Sequence, residues 1–444
     1  MAKPSRPLPL PRPLPLPLRG LLRLGPAAPH WPRPAFSAAA AMAVADVALL
    51  ALGRLDLALY TAAGALCALY GHDRPYAERA RTVAWVVLGT VAGVGVALVS
   101  ASLTGCAPLL VLLASLVAAA QRMLCDASRI GPPGNVVLTF VTSTAFFVPQ
   151  RLGDVPGHLA LVLAAGALAW LICTAPALVR PHAPAGALRP GPGVLTRLRP
   201  GSPLLPVGAR VATGAALAGW AALALGSAHP YWAVVTAAAV FQANTTLSWR
   251  RAVQRVVGNV LGLLLFTALL PLARLGAVAL VLVALALQIA AEAVMARNYW
   301  LGSVCVTPMA LVLGEFGGAH PAAGLVADRW TDTLVGVAAG LLVCALVTNR
   351  RAADRVDGAL GDAVAARTAA ADLLAAAPAA PGAGPARDRL ARALLELREA
   401  ADVAAGEWWQ RPLPGERVAA EERAGRRVLA ALDERTAAAR AAAG

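Results

Sequence analysis

The residues able to do chemistry in this chain are few, and most stand where an apolar run turns briefly polar. In PYWAVVTAAAVFQANTTLSWRRAVQRVVGNVLG (230–262), Gln242, Asn244, Thr245 and Thr246 offer neutral hydrogen bonds, and Arg250, Arg251 and Arg255 follow. Together with Arg81 of an earlier, similar stretch, these arginines could form a basic vestibule that attracts organic anions by focusing the field. They could equally be topology determinants beside lipid phosphates. A second polar set lies in two short apolar runs: Thr139, Thr142, Ser143 and Thr144 in one, Thr307-Pro308 in the other. A proline frees a carbonyl one turn back, which lipid tolerates only where protein or a water-lined cavity satisfies it. Gln242, Asn244, Thr245 and Thr307 are therefore expected to line a solute pathway. The alternative is that the hydroxyls bond their own helix and the amides sit at the headgroup edge.

Two carboxylates, Asp46 and Glu292, fall inside apolar runs. Ionisable groups at membrane depth are expensive, so each is a candidate proton carrier. Gln288 and Glu292 share one helical face, and Arg297 is near enough to partner Glu292, with snorkelling to water as the other option. Asp328, Arg329 and Asp332 at the start of the last apolar segment read as a local ion pair, with an outer gate as the alternative. His158, His229 and His320 stand in loops, where pH sensing competes with having no role. No phosphate loop, H-E-x-x-H, G-x-S-x-G or Walker motif occurs, so no catalytic residue and no ATP-driven step is expected. Cys67, Cys106, Cys125, Cys173, Cys305 and Cys344 are scattered through or beside apolar runs, without metal or disulfide spacing, and read as small buried side chains. No cofactor or metal is implied.

The elements that carry these residues are membrane helices. The chain has 444 residues, of which 58% are hydrophobic and 14% charged, and its mean hydropathy is +0.64; a soluble chain carries about 25% charged residues. The net charge of +15 does not indicate a nucleic-acid binder. From Arg350 onward 15 arginines face 14 acids, leaving 24 basic against 10 acidic residues in the rest, so the surplus belongs to membrane loops. Apolar segments run at 36–53, 56–71, 82–103, 107–121, 134–149 and 158–179, then at 208–227, 231–246, 252–272, 275–296, 299–314 and 330–348. Segments 56–71, 231–246, 134–149 and 299–314 are short for a span, which needs about 20 apolar residues. Short segments at matching places in two halves are where a transporter site is expected.

Arg81 precedes Gly89 and Gly93 as Arg250 precedes Gly258 and Gly262, and the flanking apolar runs correspond. The expected fold is all-α: two parallel six-helix repeats, about twelve transmembrane helices, with the glycine pairs as small-xxx-small faces for close helix approach. With the N-terminus inside, alternation places twenty basic residues on inner segments and four (Arg54, Arg151, Arg274 and Arg329) on outer loops. That bias puts both termini in the cytoplasm and the chain in the cytoplasmic membrane. Five regions are expected: a Pro-rich basic tail without structure (1–35), a first membrane repeat (36–179), a cytoplasmic linker (180–207), a second repeat (208–348) and a cytoplasmic helical module (349–444). Met42, inside the first apolar run, offers an alternative start. In the module, Leu390, Leu394, Leu395 and Leu397 among charges read as amphipathic helices, with Trp408 and Trp409 packing on the bilayer or on the module itself.

The runs YWAVVTAAAVFQANTTLSWRRAVQRVVGNVLG, NYWLGSVCVTPMALVL (298–313) and RWTDTLVGVAAGLLV (329–343) resemble the fusaric-acid-resistance (FUSC) family of integral membrane transporters. That family is similar to aromatic carboxylic acid exporters and, more distantly, to plant aluminium-activated malate channels. The resemblance covers about 208–348, and reaches the first half mainly through the Arg-x7-Gly-x3-Gly repeat. It implies efflux of small organic or aromatic acids coupled to protons, and importance for the loop beginning at Arg250 and for the Thr307-Pro308 helix. Small-molecule organic acids, the lipid bilayer and further copies of the chain are the expected partners. A passive organic-anion channel and a membrane-anchored scaffold acting through the C-terminal module are the alternatives.

Overall fold

A computed structural model describes residues 20–26, 32–131, 133–178, 194–198, 202, 204–273, 275–295, 297–315, 322–347, 352–376, 383–408 and 411–443. Most of the expected tail and linker lies outside these residues, as do His320 and Trp409. The described residues form helices and turns, with no strand among them. The described residues divide into two units, one within 17–242 and 248–344, the other within 243–247 and 345–444.

The larger unit holds the apolar helices. They are α1 (Pro32–Ala51), α2 (Ala58–Ala65, flanked by 3-10 turns Leu55–Leu57 and Leu66–Leu69), α3 (Tyr76–Leu103), α4 (Ala107–Ser128), α5 (Val136–Ala145) and α6 (Val155–Thr174). A short α7 (Val194–Arg197) precedes α8 (Leu204–Ala224), α9 (Tyr231–Val240), α10 (Thr245–Ala273), α11 (Ala277–Met295), α12 (Tyr299–Glu315) and α13 (Ala322–Leu346). Among the described residues, eight helices are long and apolar enough to cross a membrane, and four shorter apolar ones lie at Leu55–Leu69, Val136–Ala145, Tyr231–Val240 and Tyr299–Leu313. The chain is a multi-pass membrane protein. Its outer surface is correspondingly apolar: Trp85, Leu264, Leu282 and Leu342 are all more than half exposed, as suits side chains that meet hydrocarbon.

Packing within this unit is reciprocal between its halves. Helix α1 packs on α11 and α4 on α8, while the short helices meet crosswise, α5 on α9 and α2 on α12. Alanine and valine dominate the buried faces, including Ala65, Ala68, Val83, Val111, Ala215 and Val234. Small side chains let helices approach where lipid supplies no hydrophobic force between them. At α10 and α12 the approach is close. A Cβ on Gly258 would stand 2.5 Å from the Ser303 Cβ and 2.6 Å from the Trp300 carbonyl oxygen, and one on Gly262 would stand 2.7 Å from Thr307. The first-half pair behaves differently. Gly93 is pressed by Thr142 and Gln121 at under 3 Å, whereas Gly89 has nothing within 4 Å.

Residues 20–25, expected to belong to the structureless tail, are instead tied to the second half. The carbonyl of Leu21 accepts from Gln254 Nε2 (2.8 Å) and Asn298 Nδ2 (3.2 Å), that of Arg23 from Asn298 (2.8 Å), and Gly25 N–H donates to the Arg297 carbonyl (2.8 Å). The side-chain amides of Gln254 and Asn298 thereby satisfy backbone carbonyls that no helix or strand pairs. Helix α1 likewise begins at Pro32, where a proline at the first helical turn loses no hydrogen bond.

The smaller unit is built on α14 (Ala352–Ala375), α15 (Ala383–Ala405) and α16 (Gly415–Ala443). Val356, Leu360, Leu390, Leu397 and Leu432 fill its core, while Leu395 faces outward. Arg367 binds Glu421 at 2.7 Å, and Arg435 caps the end of α14 through the Leu374 carbonyl (2.7 Å).

Candidate functional site

Within the larger unit, α9, α10, α12 and α13 enclose a column of polar side chains. Arg255 (6% exposed) on α10 donates to the Tyr299 hydroxyl on α12 at 2.8 Å. Arg251, one turn earlier, lies over the Tyr299 ring at 3.5 Å from its centroid. One turn beyond Arg255, Asn259 (1% exposed) accepts from the Thr307 hydroxyl at 3.2 Å, and its amide points to the Arg329 carbonyl at 3.4 Å. The i, i+4 spacing of 251, 255 and 259 puts all three on one face of α10. The glycine contacts described above bring that face against α12.

Arg329 is the most unusual member. It is 1% exposed, seven residues into α13, and its guanidinium lies 5.0 Å from the centroid of the Trp232 ring on α9. Its Nε and Nη1 have no hydrogen-bond partner among the described residues. Buried donors are nearly always paired, and a buried charge without a partner costs several kcal/mol, on the order of 3–5. The His229 ring also stacks on Trp232, with centroids 4.6 Å apart. His229 Nδ1 meets Asp328 Oδ2 at 2.8 Å, and Asp332 (0% exposed) takes a hydrogen bond from Ser227 at 2.9 Å. The local ion pair expected from Asp328, Arg329 and Asp332 is therefore not formed: Asp328 engages His229, and Asp332 engages Ser227. Arg329 is a core residue and not a loop charge.

The remaining expected residues divide. Arg251, Arg255 and Thr307 belong to the column, and Pro308 is buried one position beyond Thr307. Arg81 and Arg250 are exposed and stand apart from it. Gln242 is half-buried, with its amide donating to the Phe241 carbonyl at 2.9 Å. Asp46 is 1% exposed with Oδ2 unpartnered, while Glu292 is part-exposed and makes no ion pair with Arg297 among the described residues. The first half has its own buried polar chain, in which Asn135 donates to Thr139, Thr139 to Gln121, and Gln121 to Thr142 (2.9–3.3 Å). It contains no arginine.

Asn244 and Thr245 belong to the smaller unit. Asn244 Oδ1 accepts from Leu247 N–H (2.8 Å), capping the first turn of α10, and its amide donates to the Asp402 carbonyl (3.2 Å). The Thr245 N–H and hydroxyl both reach Glu407 Oε2 (3.1 and 3.4 Å), and Thr246 N–H donates to the Gly406 carbonyl (3.0 Å). A helix start presents unpaired N–H groups and the positive end of the dipole, so the 2%-exposed Glu407 carboxylate matches both. Gly406 is required here, since a Cβ would stand 2.4 Å from the doubly held Asn244 amide. Gly406→Ala is expected to cost about 1–2 kcal/mol, the worth of a lost cap. Amides 245–247 should then exchange hydrogen faster by roughly tenfold relative to those of α14, as mass spectrometry would show.

Asn259, Tyr299 and Trp232 were not singled out from sequence as site residues, and Arg329 was read there only as a member of a local ion pair or an outer gate. The available signal was three charges, Asp328, Arg329 and Asp332, within the first half of an otherwise apolar helix.

Residues 217–343, which include the whole polar column, match the family model described as fusaric acid resistance protein-like. The chain is also 33% identical over 190 residues to the uncharacterized membrane protein YvaC of Bacillus subtilis (strain 168). That match covers 42% of this chain and 29% of the relative. No solved structure matches.

Proposed function

We propose that this chain, a membrane protein of the fusaric-acid-resistance-like (FUSC) family, exports small organic anions, aromatic carboxylates among them, across the cytoplasmic membrane under an ion gradient. The observation that carries the proposal is the buried Arg329 beside Trp232, with two N–H groups unpartnered in an apolar bundle. Intramembrane charge is retained where it serves a solute. A guanidinium offers a planar fork that matches a carboxylate, and an aromatic face beside it suits an aromatic acid. Arg251, Arg255 and Tyr299 extend the positive, hydrogen-bonding column along α10, and Asn259 and Thr307 add neutral donors.

The architecture proposed around this column is two parallel six-helix repeats. The exchange of helices between halves, α1 with α11 and α4 with α8, supports it, as does the crosswise meeting of the four short helices. The basic surplus on one set of segments supports cytoplasmic termini, and the bias grows once Arg329 is removed from the outer count. Asp46, buried with one oxygen unpartnered, and Glu292 are the proposed proton carriers outside the column.

The test is accumulation of radiolabelled aromatic and aliphatic carboxylates in cells with and without the protein. Lower accumulation of aromatic acids in its presence, abolished by a protonophore, is the expected result. Flux that runs only downhill and ignores the protonophore would make the chain a channel, and equal accumulation across the panel would remove the transport proposal.

A further inference from the structure

The unjoined charges of α13 carry a consequence for how an anion would leave the site. Arg329 and Asp332 are three residues apart on one helix, hence neighbours on one face. Asp332 is 0% exposed and holds Ser227 through Oδ2, while its Oδ1 has no partner. Arg329 is 1% exposed with Nε and Nη1 unpartnered, and no ion pair joins the two. Opposite charges this close in a site shut off from water attract strongly. Leaving both unsatisfied makes sense where a third group completes the set.

We infer that Asp332 is a tethered competitor for the anion site on Arg329: a monocarboxylate binds the guanidinium while Asp332 carries a proton, and is expelled when Asp332 ionises. This rests on the transport proposal above and adds its release step. The proton balance is simple. A solvent proton adds to the Asp332 carboxylate, giving the neutral acid, and its departure restores the charge that competes with the bound anion. Solvent approaches from the part-exposed His229–Asp328 pair, whose side chains are 23% and 24% accessible. Ser227 accepts from the His229 N–H (3.1 Å) and donates to Asp332, so this turn ties the exposed pair to the buried acid.

The groups that face the pair are of both signs. Asp328 shares α13; Ser227 and His229 come from the turn before α9; Tyr231 from α9; Arg255 from α10; and Tyr299 from α12. Arg255 is held by Tyr299. Of the cations near the Asp332 carboxylate, Arg329 is the one with open donors, so it is the group over which two carboxylates would compete.

The experiment is binding of radiolabelled benzoate to the purified full-length chain between about pH 6 and 8, where the probe stays ionised. Affinity is expected to rise at least about fivefold as pH falls, the size of an ordinary coupling between two sites. Asp332→Asn should bind tightly throughout and lose the pH dependence. Ser227→Ala removes the donor that favours the ionised form, so the midpoint should move to higher pH with the tight and weak limits unchanged. This second variant keeps the inference exposed if Asp332→Asn folds poorly. Wild-type pH dependence retained in Asp332→Asn, or an unmoved midpoint in Ser227→Ala, overturns the competitor and leaves the transport proposal standing. A wild-type chain that binds neither benzoate nor any other carboxylate of the panel overturns both.

Discussion

Arg329→Met should raise the thermal stability of the chain and cut carboxylate export. The two effects have one cause. Arg329 is buried with two donors unpartnered, so the folded state bears a desolvation cost that the Trp232 ring face repays only in part. Replacing buried ionic groups by apolar ones of similar volume is commonly neutral or stabilising by about 1–4 kcal/mol. Methionine keeps the length of the stem against Trp232 and fills irregular space. Asp332 retains its Ser227 hydrogen bond in the variant. Export should fall by about one to two orders of magnitude, the worth of charge-assisted hydrogen bonds to a carboxylate. Arg329→Lys should fall between, since an ammonium supplies the charge without the fork. Thermal unfolding in detergent and a vesicle efflux assay would check the pair of outcomes. A variant that unfolds at lower temperature would show that Arg329 holds the bundle together and is not waiting for a solute.

Gly258→Ala should have a large effect for so small a substitution, and Gly89→Ala, at the equivalent place in the first half, almost none. The added methyl at 258 meets the Ser303 Cβ at 2.5 Å and a backbone carbonyl at 2.6 Å, so α10 and α12 must part. Overpacking of this kind costs about 1–3 kcal/mol. It also shifts the faces that carry Arg255 and Asn259 away from Tyr299 and Thr307, so export should drop together with stability. Ser303→Gly should restore part of both, because the Trp300 carbonyl remains in the way. At 89 nothing lies within 4 Å, and alanine gains up to about 1 kcal/mol of helix propensity over glycine. Equal loss of stability at the two positions would remove the α10–α12 approach as the explanation.

These residues also show where sequence stops informing. The all-helical class and the membrane character follow from apolar runs broken by Arg, Pro and Gly. The brevity of α5 and α9 was legible in the same way. The glycine pairs look alike in sequence, yet only in three dimensions does Gly89 face open space and Gly258 a carbonyl. Arg329 read as a loop charge because arginine ordinarily avoids hydrocarbon, and nothing local in sequence records that α9 brings an aromatic ring over it. Asn244 and Thr245 looked like pathway residues because they are polar between apolar helices. Their partners lie about 160 positions away along the chain, beyond any periodicity.

That separation bears on how the protein is made. A ribosome releases Thr245 long before it reaches Glu407, 162 residues later. Until then Asn244 covers the Leu247 amide, and those of Thr245 and Thr246 wait for Glu407 and Gly406. A nonsense codon anywhere in that interval downstream of Leu346 would yield every apolar helix and still leave the arginine-bearing one with a frayed beginning, a lesion that a count of inserted helices would miss.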